Sequence, residues 1–246
     1  ITSDALEKAI TPRTKLFMFS SPCNPSGAVY SAAELQALAD VFSRHPQVFI
    51  ISDEIYEYIN YTGKHESIAA IAELKDRVIL INGLSKGYAM TGWRLGYMAA
   101  TTQIAKGCEK LQGQFTSGTN AIAQRAAITA LTVENDATKK MIDEFGRRRK
   151  EVMRLMKSID GFRFAEPEGA FYAFPCVDSY FGKSDGEVQV NNADDLAMYL
   201  LNKAHVSTVT GSAFGDPQCL RISFANNMGN IQKGFARIDK ALKQLR

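Results

Sequence analysis

Asn82-Gly-Leu-Ser-Lys-Gly-Tyr-Ala-Met-Thr-Gly-Trp-Arg-Leu-Gly-Tyr97 is the stretch whose reading decides the fold. It follows Val78-Ile-Leu-Ile81, an apolar run with the length and β-branched composition of a buried strand, best read as one strand of a sheet covered on both faces. The chain breaks at Gly83, and Lys86 stands just beyond the strand end. Further on, Arg94 lies between Gly92 and Gly96 beside Trp93, the only tryptophan. In open α/β sheets the carboxyl ends of strands are where ligands bind. A lysine and an arginine placed there suit an amine nucleophile and a clamp for a phosphate. Either cation alone is an ordinary solvated side chain, so the weight falls on what other strands bring to the same edge.

Two other apolar runs end the same way. Lys15-Leu-Phe-Met-Phe19 runs into Ser20-Ser-Pro-Cys-Asn-Pro-Ser-Gly27, and Val48-Phe-Ile-Ile51 runs into Ser52-Asp-Glu-Ile-Tyr56. Three strand ends thus offer Asn24, Asp53 with Tyr56, and Lys86. In these residues the chain resembles the class I/II aminotransferases of the fold-type I pyridoxal-phosphate (PLP) enzymes, of the aspartate aminotransferase-like kind. That family shows an asparagine in an N-P-T/S-G turn, a D-E-x-Y after a strand, and S-K-x-x-x-x-x-G-W-R. Here they read Asn24-Pro-Ser-Gly27, Asp53-Glu-Ile-Tyr56 and Ser85-Lys-Gly-Tyr-Ala-Met-Thr-Gly-Trp-Arg94.

The resemblance implies a role for each position. Lys86 is the residue that joins the cofactor aldehyde and then carries the proton between substrate and cofactor. Lysine suits this because its pKa falls readily when it is desolvated or set near other cations. Asp53 holds the pyridine nitrogen protonated, since an opposite charge at hydrogen-bond distance favours the cation. Asn24 and Tyr56 donate to the cofactor's 3′-oxygen, and Arg94 and Ser85 hold its phosphate. Many members have a serine two residues before Ser85. This chain has Gly83, so either a backbone N–H replaces that hydroxyl or the phosphate loses a contact. Arg221, alone among apolar residues in Leu220-Arg-Ile-Ser-Phe224, needs a partner to offset burial; in the family this arginine, with Asn24, receives the substrate α-carboxylate. Ser212-Ala-Phe-Gly215 matches a family loop at the substrate mouth. The implied reaction is amino transfer between an amino acid and a 2-oxo acid, with aspartate and 2-oxoglutarate as the pair. A carbon–sulfur lyase would use the same six positions. A non-catalytic chain, either a degenerate domain or an aminotransferase-like effector module, is the other alternative, and the intact Asn24, Asp53, Tyr56, Lys86, Arg94 and Arg221 weigh against it.

Composition fits this reading and excludes others. With 46% hydrophobic and 22% charged residues, the 246-residue chain has the make-up of an ordinary globular protein. Its net charge of +3 is too small for a nucleic-acid footprint. The basic run Arg147-Arg-Arg-Lys150 is interspersed with Asp143, Glu144 and Glu151 and reads as a solvated helix face. Cys23, Cys108, Cys176 and Cys219 have neither disulfide-like nor metal-like spacing, and His45, His65 and His205 are scattered. No metal site is expected, and reduced thiols point to a cytoplasmic protein. No apolar stretch approaches the ~20 residues that cross a bilayer.

The pattern along the chain predicts an α/β fold with mostly parallel pairing. Residues 1–133 read as part of a PLP-binding large domain, Glu134–Ile159 as a linking helix, and residues 160–246 as a small α+β domain. Ser3 is read as the cap of the first helix, and Ser31-Ala-Ala-Glu34 as a capping box opening the second. Family members are longer and have much of the large domain ahead of the Asn24 turn. The expectation is therefore a C-terminal fragment of a homodimeric enzyme, with little activity alone.

Overall fold

The computed structural model describes residues 1–133 and 136–246. The chain divides into two compact units, Ile1–Cys23 with Ala28–Lys140, and Asn24–Gly27 with Met141–Arg246.

In the first unit, α1 (Ser3–Ala9) precedes β1 (Leu16–Ser20), α2 (Ala32–Arg44), β2 (Phe49–Asp53), β3 (Val78–Gly83) and β4 (Gly96–Ala99). The α1 cap is Thr2, whose hydroxyl accepts from Ala5 N, one residue earlier than the sequence reading placed it. The Ser31–Glu34 capping box forms as expected. The strands lie in the order β1-β2-β3-β4. β1, β2 and β3 run parallel, with Leu16 beside Phe49 and Ile50 beside Val78. β4 is antiparallel to β3, pairing Gly83 with Gly96, because the link between them carries no crossover helix.

The helical spacing of Leu35, Leu38, Ala39 and Phe42 turns one face of α2 onto the sheet, where it packs with Val48, Ile50, Ile68, Leu74 and Val78. Phe42 meets the Phe17 ring at 5.4 Å. Arg77 braces the end of α2 by donating to the carbonyls of Phe42, His45 and Val48, the first two of which also accept from the backbone N–H groups of His45 and Val48. The opposite face differs from the expectation of a sheet covered on both sides. Leu16, Met18 and Phe49 point there by strand alternation and are 50%, 71% and 38% exposed. No helix layer closes over these three side chains among the described residues, while Ile79 and Ile81, on the same face of β3, are half-buried.

After β4 come two helices, α3 (Thr102–Phe115) and α4 (Ala121–Thr132), separated by a short link that contains Gly118. A long helix, α5 (Ala137–Lys157), falls within the span read as Glu134–Ile159, of which Glu134 and Asn135 lie outside the described residues. The second unit continues with β5 (Tyr172–Ala173), β6 (Lys183–Ser184), β7 (Gln189–Val190), α6 (Ala193–Tyr199), β8 (Val209–Thr210), β9 (Leu220–Ser223) and α7 (Met228–Leu242). β9 is central, antiparallel to β5 and to β8. A π-helical turn, Leu200–Ala204, follows α6.

Candidate active site

β2 and β3 end side by side, with Asp53 paired to Ile81, and the loops after them build the first group of site residues. A cavity of about 300 Å³ is lined by Asp53, Asn82, Ser85 and Arg94 together with Ile55, Ile81, Leu95 and Gly96. One Asp53 oxygen accepts from Ile55 N at 3.1 Å. Among the described residues no cation pairs with this carboxylate, and its burial raises its pKa, with the neighbouring Glu54 charge adding to the rise. Ser85 gives its carbonyl to the Thr91 hydroxyl at 2.9 Å, and no described side chain or backbone group engages its own hydroxyl. Arg94 caps the short helical turn Thr91–Trp93 in the left-handed region, at φ 56°, and donates to Thr91 O at 3.0 Å. The rest of its guanidinium is exposed.

Gly83 has a steric reason. A side-chain carbon there would come within 2.8 Å of Gly96 Cα and 2.9 Å of Leu95 O, so the close pairing of β3 and β4 excludes serine on this backbone. Its N–H is already given to Asn82 Oδ1 at 2.7 Å, so it does not replace the missing hydroxyl. Lys86, partly buried, places its ammonium 5.8 Å from the centre of the buried Tyr56 ring. Neither of these two side chains lines the cavity of Asp53, Ser85 and Arg94.

The residue after Asp53 is engaged in a way its spacing did not show. Glu54 is buried and accepts from Ser52 Oγ at 2.9 Å, from Ser67 Oγ at 2.6 Å and pairs with His65 Nε2 at 2.6 Å. Atoms of Glu54, Glu57 and His65 lie within 4.8 Å of one another. Both Glu54 oxygens are already satisfied by these donors, so the group reads as a brace that fixes the Asp53–Tyr56 turn.

Asn24 and Arg221 come together in the second unit, where Arg221 Nη1 donates to Asn24 Oδ1 at 2.9 Å. The Arg221 guanidinium lies over two rings, Tyr172 at 4.6 Å and Phe214 at 4.8 Å. Phe214 comes from the Ser212–Gly215 loop marked in the sequence; Tyr172 was not foreseen, and the signal for it was the strand Gly169-Ala-Phe-Tyr172 itself. Arg221 Nε is buried without an acceptor. The turn bearing Asn24 is pinned by Gly27, whose carbonyl accepts from Glu168 N and Gly169 N at 2.8 Å each. Gly27 has φ +73°, and a Cβ there would fall 2.3 Å from Pro167 Cβ, so only glycine fits.

The aminotransferase class I and II family model matches residues 1–238. The chain belongs to that family. Among its relatives are the Petunia hybrida bifunctional aspartate aminotransferase and glutamate/aspartate-prephenate aminotransferase, 42% identical over 96% of this chain, and the Nitrosomonas europaea aspartate/prephenate aminotransferase, 42% identical over 98%. The crystal structure of the Rhizobium meliloti aspartate aminotransferase superposes on the whole chain with a TM-score of 0.95 at 40% identity. This chain spans 50% and 62% of the two relatives' lengths and 62% of the solved one. Class I and II aminotransferases of this kind use pyridoxal phosphate, and the donor set suits that cofactor: an uncompensated carboxylate for a cationic ring nitrogen, and a hydroxyl and a guanidinium for a phosphate.

Proposed function

We propose that the protein transfers an amino group between an amino acid and a 2-oxo acid, with aspartate and 2-oxoglutarate as the pair, as a cytoplasmic homodimer. The observation that carries this reading is the cavity in which Asp53, without a counter-cation, meets the unengaged Ser85 hydroxyl and the Arg94 guanidinium. Bound PLP supplies an electron sink for the bond broken at the substrate Cα. Asp53 supplies the negative charge that keeps the ring nitrogen protonated. Arg94 offers a planar pair of donors to the phosphate, and Ser85 adds a hydroxyl. Tyr56 contributes a phenol donor. The Asn24 amide N–H groups engage no described residue, and they are left to donate to an anionic oxygen. Lys86 Nζ would accept the proton from the substrate Cα and carry it onward to the cofactor. In the second unit Arg221, with one buried N–H unanswered, supplies the acceptor-seeking guanidinium for the α-carboxylate that all amino acids share. The names of the relatives in Petunia and Nitrosomonas extend the acceptor candidates to prephenate.

The test is chemical. Borohydride reduction of the PLP-loaded protein followed by peptide mapping places the pyridoxyl group on Lys86. A label on another lysine, or none, overturns the assignment.

A further inference from the structure

Two of the four cysteines, far apart in sequence, are cross-strand neighbours in the second unit. Cys176 and Cys219 face each other in an antiparallel bridge. The flanking bonds are Val177 N to Gln218 O at 2.8 Å and Leu220 N to Pro175 O at 3.0 Å. The two cysteines therefore form a non-hydrogen-bonded pair, the closer kind, for which Cα atoms stand ~4.5 Å apart. Disulfides span Cα separations of roughly 4.4–6.8 Å, so a bond fits without moving the backbone far. On its other side Cys176 exchanges both backbone bonds with Arg163, at 2.7 and 3.2 Å. Directly opposed residues share a face, so Arg163, Cys176 and Cys219 form a row across it.

The side chains along this row are arranged for thiol chemistry. Cys176 is half-buried, and its Sγ accepts from Arg163 Nη2 at 3.2 Å and donates to Asp178 Oδ1 at 3.4 Å. The carboxylate is an acceptor for the thiol proton, and the guanidinium is a donor for the thiolate that remains. Cys219 is 6% exposed and donates to Asp216 Oδ2 at 3.3 Å. Burial, aided by that bond, pushes its thiol up to about 12, which makes it the poorer first nucleophile.

We propose that Cys176 and Cys219 are a hydroperoxide-reactive pair that closes to a reversible disulfide. The Cys176 sulfur attacks one oxygen of hydrogen peroxide, the O–O bond breaks, and the second oxygen leaves as water with the thiol proton. Cys176 is then a sulfenic acid. The Cys219 sulfur attacks that sulfur as Asp216 takes its proton, the S–S bond forms, and the hydroxyl leaves as a second water. Two thiols are oxidised by two electrons and one peroxide is reduced to two waters. A dithiol reductant reverses the closure. This assignment is independent of the amino-transfer reading.

The experiment treats the purified full chain with stoichiometric hydrogen peroxide, alkylates the remaining thiols, digests it without reductant and maps the peptides by mass. The expected product is the Cys176 peptide joined to the Cys219 peptide, lost on dithiothreitol treatment. In Cys219→Ser, dimedone labels Cys176. In Arg163→Gln, closure slows on the order of tenfold, the worth of one charge-assisted hydrogen bond. Oxidation confined to Cys23 or Cys108, or wild-type Cys176 ending as a sulfinic acid with Cys219 still alkylated, overturns the proposal.

Discussion

Arg94 and Arg221 offer the same fork of donors, yet the chain holds them by opposite means. Arg94 is set by its backbone: a left-handed residue capping a short turn, one N–H on Thr91 O, and the rest of the group exposed. Arg221 is set by its neighbours: a strand residue between two rings, with one N–H on Asn24 and one buried N–H unanswered. A residue held by backbone conformation carries a strain that other sequences relieve. A residue held by packing carries a desolvation cost that a hydrogen-bond acceptor, an anion best of all, offsets. The second is therefore the more demanding of its ligand, and the contrast can be broken or sharpened by substitution.

The largest effect is expected at Arg221→Lys. A point charge replaces a planar donor in a partly dry setting, so 2-oxo acid affinity falls on the order of 2–5 kcal/mol while PLP affinity holds. Titration of PLP and of a 2-oxo acid separates the two, and equal losses would make Arg221 a structural residue. A smaller loss, about 1 kcal/mol, is expected for Tyr172→Leu or Phe214→Leu, each removing one ring from the guanidinium. If neither substitution moves 2-oxo acid affinity, the rings do not position Arg221 and the comparison fails. Arg94→Gly should act in two directions. Relief of the left-handed backbone raises thermal stability on the order of 1 kcal/mol, while PLP affinity drops, and calorimetry with a spectrophotometric titration reads both. A variant that loses both would show that the Thr91 contact outweighs the strain.

The smallest effect concerns Asp53. Its native pKa is raised by burial, so the native state holds the proton more tightly than the unfolded chain does. Below the ordinary aspartate value of 3.8 both states are protonated and no penalty exists. As pH rises past that value towards the higher native one, stability falls, and it stays lower above it. Without cofactor, Asp53→Asn should therefore match the wild type in acid and exceed it at neutral pH, and added PLP should favour the wild type. Urea midpoints at the two pH values check the sign, and a wild type more stable than the variant at neutral pH without PLP would refute it.

What was legible in the sequence was what a strand and its own turn fix. Asp53, Ser85 and Arg94 reach one cavity because each lies within a short loop of a strand end, and the capping box of α2 is a four-residue signal. Gly83 was legible as a departure, but its reason, the approach of Gly96, needed the pairing of β4. The brace on Glu54 was missed because His65 and Ser67 return to it through irregular loop, where no periodicity operates. The setting of Arg221 draws on residues 24, 172 and 214, and the Cys176–Cys219 pair on a register no spacing rule encodes. The bare face of the sheet escaped because an apolar run reports the preference for burial, not which layers are there to provide it.

The Asn24–Gly27 turn has a further consequence, which concerns time. It belongs with the second unit, and its bond to Arg221 joins residues 197 apart in sequence. Chains emerge from the ribosome at about 5–20 residues per second, so the turn waits roughly 10–40 s for its partner to be made. Through that interval β1 can find β2, and the turn can be pinned by Glu168 and Gly169 before Arg221 exists. The guanidinium of Arg221 acquires its setting only once β9 is made, and the order of synthesis sets the order in which the parts of the second unit can come together.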